Sequence, residues 1–303
     1  MTYILNMIDK FIHNGIIDTK DINIVKNYAK TSNKRIVYLD ATFVLPTSSE
    51  NIKQNFLTNR IENSIFFDTK HISDHNSHLP NMIPNVDYFS SALSDMGINN
   101  SDIIVIYGQH SITMGPARAW WMLKGFGHKE VMVLNGSLST WIKDGLTTEN
   151  DEPKKPERTE YVAKEFNSSM IANISSVNNV STKNLFPIID ARPEKRFLGT
   201  LEEPRKGMRS GHIPNSINIP CSSLITEDGL LKTKAELKKL FKSKGLDVEK
   251  SSFNNIITTC GSGITACSLS LALYNISYDG EVMVYDGSWS EWGQDTSPTL
   301  VVR

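Results

Sequence analysis

One lag runs through this sequence. IVYLDATF at 36–43 closes an apolar run on Asp40, and FPIIDARP at 186–193 does the same on Asp190, 150 residues later. IENSIFF (61–67) aligns with IPNSINI (213–219) at a lag of 152, and VMVLNGSLSTW (131–141) with VMVYDGSWSEW (282–292) at a lag of 151. Segments in one order at nearly one spacing mark two homologous halves, so the fold must be one that each half builds for itself. The 303 residues fit two domains of about 150 residues, each large enough to bury a core.

Within each half, short Ile- and Val-rich runs read as buried strands: 36–39, 103–106 and 131–134, then 186–189, 255–259 and 282–285. Helix-like stretches lie between them at 116–124, 234–243 and 265–275. Strand and helix in alternation predict an α/β fold, each half a parallel sheet flanked by helices. The stretch 146–166 carries two prolines and mixed charge with little apolar periodicity, and reads as a surface linker. The expected organisation is a first domain over 1–148, a linker over 149–166 and a second domain over 167–303.

Charge excludes some partners. Thirty-two basic and 33 acidic residues leave a net charge of -1, which provides no footprint for nucleic acid or an acidic membrane surface. No apolar stretch approaches the roughly 20 residues that span a bilayer. The N-terminal MTYILNMIDKFIHNG is interrupted by Asn6, Asp9 and Lys10 and does not read as a secretory signal. Three cysteines make no disulfide framework and fit a reducing compartment, so a cytoplasmic location is expected. Nothing calls for a metal or a cofactor.

The chemistry concentrates in NNIITTCGSGITACSLSLALYN (254–275). A β-branched strand runs into Cys260, Gly261, Ser262 and Gly263, and a helix begins near Thr265. Two glycines let such a loop curl and point its backbone N–H groups into an anion-binding nest, to which the following helix adds its positive end. A cysteine held there is favoured as thiolate, the nucleophilic form. Spacing weighs against other readings. A phosphate-binding P-loop needs a lysine after its last glycine, and none is present; a C-x5-R phosphatase needs arginine where Ala266 stands; Cys260 and Cys267 are seven apart and form no C-x-x-C pair. The remaining reading is a thiolate that receives and hands on a small group. Cys267, inside the apolar helix, and Cys221, after a proline, read as structural.

A second cluster, DARPEKRFLGTLEEPRKGMRSGHIPNSINIP (190–220), offers Arg192, Arg196, Arg205, Arg209 and His212. Guanidinium groups meet carboxylate or sulfonate oxygens in bidentate fashion, so an anionic substrate is expected here. About half of these arginines are expected to pair instead with Glu194, Glu202 and Glu203. His212, before Ile-Pro, reads as a structural hydrogen-bonder.

Together these residues resemble the tandem-domain sulfurtransferases, the rhodanese and 3-mercaptopyruvate sulfurtransferase family. The resemblance covers nearly the whole chain after about residue 35 and rests on IENSIFFD (61–68), ARAWWMLKGFGH (117–128), LNGSLSTW (134–141), IDARPEKRFLG (189–199), EEPRKGMRSGHIPNSINIP (202–220), CGSGITA (260–266) and YDGSWSEWG (285–293). It implies two tandem rhodanese-like domains with five-stranded parallel sheets, of which only the second bears the active cysteine. Consistent with that, the lag of 152 carries Cys260 onto Gly108, so GQHSIT (108–113) stands where CGSGIT stands in the second half.

The resemblance further implies the mercaptopyruvate type, because Gly261 and Ser262 follow the cysteine where thiosulfate-preferring members place basic residues. On this basis Cys260 takes the outer sulfur of 3-mercaptopyruvate as a persulfide, releasing pyruvate, and a thiol, thioredoxin or cyanide accepts it. Ser262 corresponds to the serine proposed to assist proton transfer. Arg196 and Arg205 correspond to the arginines that hold the carboxylate and keto oxygen, and Gly261, Gly263, Ile264 and Thr265 complete the cradle. One departure stands out. Some members link the serine to a histidine and an aspartate from the first half; here those positions are Asn81 and Lys70, with His78 nearby. Two other readings remain: a thiosulfate sulfurtransferase, and a non-catalytic persulfide-binding partner.

Overall fold

The computed structural model describes residues 2–45, 47–249 and 253–303. Two compact units emerge, the first comprising residues 1–73, 84–166 and 227–231, the second residues 74–83, 167–226 and 232–303. The second unit thus includes a ten-residue strap from the first half of the sequence.

The first unit is built on β1 (Ile16–Ile17), β2 (Ile36–Asp40), β3 (Ile65–Phe66), β4 (Ile103–Tyr107) and β5 (Val131–Leu134), in the order β1-β5-β4-β2-β3. The second has β6 (Ile171–Ala172), β7 (Ile188–Asp190), β8 (Ser216–Asn218), β9 (Asn255–Thr259) and β10 (Glu281–Tyr285), in the order β6-β10-β9-β7-β8. All neighbours in both sheets are parallel. Strand for strand the two orders are the same, so the repeat in the sequence is a repeat of topology.

Parallel sheets need both faces covered, which explains why β4, IIVIY, is buried at every position. Helices α1 (Gly115–Gly125) and α3 (Ala266–Asn275) follow the central strands β4 and β9, and both are almost wholly buried. Helix α2 (Lys234–Ser243) instead lies at the surface, burying Leu237 and Phe241 and starting at a capping box between Thr233 and Glu236. On one side of the first sheet, Ile8, Val25, Val105 and Trp141 belong to one core. In the second unit Val177, Ile213, Ile257 and Trp289 form its counterpart.

The six central strands and three helices expected from periodicity all form. The run at 186–189 shifts to Ile188–Asp190, Pro187 serving instead as a carbonyl acceptor for the Ile257 N–H. The stretch 146–166 is not a solvated linker throughout. Its last part runs extended over the first unit: Tyr161 and Ala163 turn inward while Val162, between them, is exposed. Backbone bonds from Thr159 to Ser94 and from Lys164 to Phe126 fix it. The alternation was hidden by the lysines and glutamates at the outward positions. Among the described residues no helix is long and apolar enough to cross a membrane.

Candidate active site

The loop after β9 is fastened by its neighbour, the loop after β10. Ser288, fully buried with φ +49°, accepts from the N–H groups of Cys260 (3.1 Å) and Gly263 (3.2 Å) and donates to the Tyr285 carbonyl (2.6 Å). The Trp289 N–H donates to the Cys260 carbonyl at 3.0 Å. The Gly261 carbonyl accepts from Ser290 twice, from its N–H at 2.9 Å and its hydroxyl at 2.6 Å. Sequence reading missed Ser288 and Ser290; their signal was the near-repeat of NGSLS and DGSWS, which reads as structure rather than site.

This bracing alters the expected cradle. Of the amides at 261–265, that of Gly263 is committed to Ser288. Among the described residues, those of Gly261, Ser262, Ile264 and Thr265 donate to no protein acceptor. Cys260 is 2% exposed and Ser262 8%, so a charge on the thiol must be stabilised largely by the protein. Cys267 lies within α3, and its thiol donates to the Gly263 carbonyl at 3.2 Å. Cys221 is half-buried, in a short turn after Pro220.

Two guanidinium groups converge on the loop. A Cβ placed on Gly261 would lie 3.3 Å from Arg196 Nη2 and 4.0 Å from Arg205 Nη1, so any larger residue would press on these cations. Arg196 pairs with Glu203 through its Nε (3.2 Å) and Nη2. Glu203 also accepts from Arg192 (2.9 Å), which in turn grips Asp190 at the end of β7 (2.7 Å). Arg205 makes no carboxylate pair among the described residues; its Nη1 donates to Ser290 Oγ at 3.0 Å. Three guanidiniums therefore face two carboxylates, leaving one uncompensated positive charge near Cys260. Burial first, and then the Arg196 charge, push the Arg205 guanidinium below its ordinary range, with Cys260 and Glu203 acting the other way.

The rest of the arginine cluster is structural. Arg192 is 1% exposed and wholly engaged; Arg209 donates to the Thr299 and Trp292 carbonyls at 2.8 and 2.7 Å. His212 stacks on Phe197 at 3.8 Å and donates through Nδ1 to its carbonyl.

The strap 74–83 completes this unit. Its Ile83 N–H donates to the buried Asp286 carboxylate at 2.8 Å, and Asn81 Nδ2 donates to Ser262 Oγ at 3.0 Å. His78 lines a cavity of about 410 Å³ together with Pro80, Arg205, Lys206, Ser290 and Asp295. Lys70 belongs to the first unit, where it is exposed with its ammonium 5.4 Å from the Phe43 ring centroid.

The equivalent loop of the first unit follows β4, and the Leu138 N–H donates to the Gly108 carbonyl as Trp289 does to Cys260. A Cβ on Gly108 would meet the Ser111 carbonyl oxygen at 2.7 Å, so no side chain fits there. Arg192 has its counterpart in Thr42, and the buried Asp40 carboxyl, raised by burial, relies on Thr42 and Gln109. Among the described residues no cation pairs with Asp40. Among the described residues no group of three or more His, Cys, Asp or Glu is placed to hold a metal.

A repeated five-stranded parallel α/β unit, with a buried cysteine on the strand-to-helix loop and arginines beside it in one copy only, defines a class: proteins built for group transfer on a cysteine sulfur. The chain belongs to the family of the rhodanese-like domain, which matches residues 29–144 and 173–295. It is 38% identical over 259 residues to the 3-mercaptopyruvate sulfurtransferase of Escherichia coli K12, covering 85% of this chain and 89% of that one. It is 35% identical to the thiosulfate sulfurtransferase of Gallus gallus, covering 87% of each. Among solved structures, the Tum1 protein from Saccharomyces cerevisiae superposes with a TM-score of 0.85 at 30% identity, covering 95% of this chain and 97% of that one.

Proposed function

We propose that this sulfurtransferase takes its sulfur from 3-mercaptopyruvate, carries it on Cys260 and delivers it to a thiol, with thioredoxin or cyanide as further acceptors. The observation that supports this most is the pair Arg196 and Arg205 beside a loop whose residue 261 is glycine. A carboxylate and a keto oxygen are matched by two planar cations at the rim, and no basic side chain follows the cysteine to meet a dianion.

In the first step the Cys260 thiolate attacks the sulfur of the donor. The donor carbon–sulfur bond breaks, its electron pair forms the enolate of pyruvate, and protonation releases pyruvate. Cys260 is left as the persulfide, its charge set against the uncompensated guanidinium and the four unoccupied amides. In the second step an acceptor thiolate attacks the outer sulfur, and the Cys260 thiolate leaves. Each step moves one sulfur and an electron pair, with no outside oxidant. Ser262 offers its hydroxyl to the reacting donor, and Gly261, Gly263, Ile264 and Thr265 shape the cradle.

On this reading the catalytic cysteine belongs to residues 167–303, joined through 149–166 to a rhodanese-like domain over 1–148 that lacks one and lends the strap 74–83. Three free cysteines fit a cytoplasmic setting. The chicken relative's name keeps thiosulfate as the second reading. Turnover with the two donors side by side tests the choice: faster pyruvate release from 3-mercaptopyruvate is expected, and faster sulfur transfer from thiosulfate would reverse it. A non-catalytic sulfur carrier would accept sulfur from a partner protein yet show no turnover with either donor.

A further inference from the structure

Asn81 touches the cysteine loop from the strap, and the direction of its hydrogen bond has a consequence for Ser262. Its Nδ2 lies 3.0 Å from Ser262 Oγ and 3.5 Å from the Ser262 carbonyl oxygen. Because a carbonyl only accepts, this second contact orients the amide with its N–H groups toward Ser262. A hydroxyl that accepts one hydrogen bond keeps its own hydrogen to give, and among the described residues no acceptor takes the Ser262 hydrogen. The strap is held for this task. Asn81 sits at φ +61°, which asparagine tolerates better than most residues, and two residues on Ile83 is tied to the buried Asp286.

We propose that Asn81 is a positioning residue whose amide fixes Ser262 as a hydrogen-bond donor to the keto oxygen of the sulfur donor as that oxygen becomes an enolate. An amide neither takes nor gives a proton at neutral pH, so Ser262 acts by stabilising developing charge and not as a link in a proton chain. This rests on the 3-mercaptopyruvate reading, since thiosulfate develops no enolate.

The test is Asn81→Asp, nearly isosteric but an acceptor when ionised. Its carboxylate draws the Ser262 hydrogen to itself. Above the carboxyl titration kcat with 3-mercaptopyruvate should fall about tenfold or more, the scale of a lost hydrogen bond to a charged group. As pH falls, the protonated carboxyl donates again and the ratio of variant to wild-type kcat should climb back. Other charged or titratable groups nearby are Cys260, Arg196 and Arg205 at the loop, Asp286 at Ile83, and His78, Lys206 and Asp295 along the cavity. They are common to both proteins, and the ratio removes their own titration to first order. Simple repulsion of an anionic donor is separated by the Ser262→Ala background, where Asn81→Asp should leave kcat unchanged. Asn81→Gly, which keeps the positive φ and removes the amide, should lower kcat by a pH-independent factor, and not at all in Ser262→Ala. A ratio flat in pH, or equal losses with and without Ser262, would overturn the role of Asn81. Wild-type sulfur loading from 3-mercaptopyruvate is measured first, and its failure would strike the substrate reading instead.

Discussion

Ser288 Oγ accepts from the backbone N–H groups of Cys260 (3.1 Å) and Gly263 (3.2 Å), pinning both ends of the cysteine turn with one buried hydroxyl. Ser288→Ala strands two buried donors. Stability should fall by about 1–3 kcal/mol, read as a lower urea midpoint with an unchanged slope. The single-turnover rate of sulfur loading should fall as well, because the loop loses its set geometry. Normal loading by a normally stable variant would show that the turn holds its shape unaided.

Arg205 should matter through its charge and its planar fork. Arg205→Ala removes the guanidinium that lacks a carboxylate partner, and should raise KM for 3-mercaptopyruvate with a loss of about 1.5–3 kcal/mol in kcat/KM. Arg205→Lys should recover only part, since an ammonium cannot reproduce the contact to Ser290 together with a bidentate grip. Steady-state kinetics over donor concentration checks both, and an unchanged KM in Arg205→Ala would remove it from the donor site.

Gly261 is needed for the space beside Arg196, the Cβ position lying 3.3 Å from Nη2. Gly261→Ala should leave the fold intact and weaken donor binding several-fold, by shifting the guanidinium away from Glu203. Competition by pyruvate, which carries the same carboxylate, should weaken in parallel. An unaltered pyruvate inhibition constant would mean that Arg196 does not hold that group.

The first unit should resist conversion into a second active site. Gly108→Cys drives its Cβ onto the Ser111 carbonyl, so melting temperature should drop, with a cost of about 1–3 kcal/mol. In a Cys260→Ser background it should restore no sulfur transfer. Restored turnover would show that the silent half lacks only a thiol.

A pH dependence should arise from His128. It is buried, stacked on Tyr161 with ring centroids 5.9 Å apart, and burial holds its imidazolium below the ordinary value. The unfolded chain therefore binds this proton more readily than the folded one. The stability that neutral His128 contributes is present above the ordinary histidine value, about 6.5, and is lost as pH falls through the depressed folded value. Chemical denaturation over about pH 5–8 should show this decline. His128→Gln should flatten it, and an equal slope in the variant would assign the decline to other groups.

Much of this molecule was legible before its structure. The lag of about 151 residues between VMVLNGS and VMVYDGS foretold two copies of one topology, because identical strand patterns bury identical faces. The cysteine loop was legible because glycines at 261 and 263 serve no purpose in a plain strand-to-helix join. The bracing by Ser288 and Ser290 was not, since serine at such positions looks like any helix cap. Nor was the strap, whose mixed residues 74–83 have no periodicity; only tertiary placement puts Asn81 against Ser262. The packing of Tyr161 and Ala163 was concealed by charged neighbours that face outward.

The most direct measurement is the intact mass of the protein, with peptide mapping, after brief exposure to 3-mercaptopyruvate. Wild type should gain one sulfur atom on the peptide containing Cys260 and lose it when an acceptor thiol is added, while Cys260→Ser should gain none. A wild type that stays unmodified while releasing pyruvate, or a Cys260→Ser variant that still takes up and transfers the sulfur, would contradict the account.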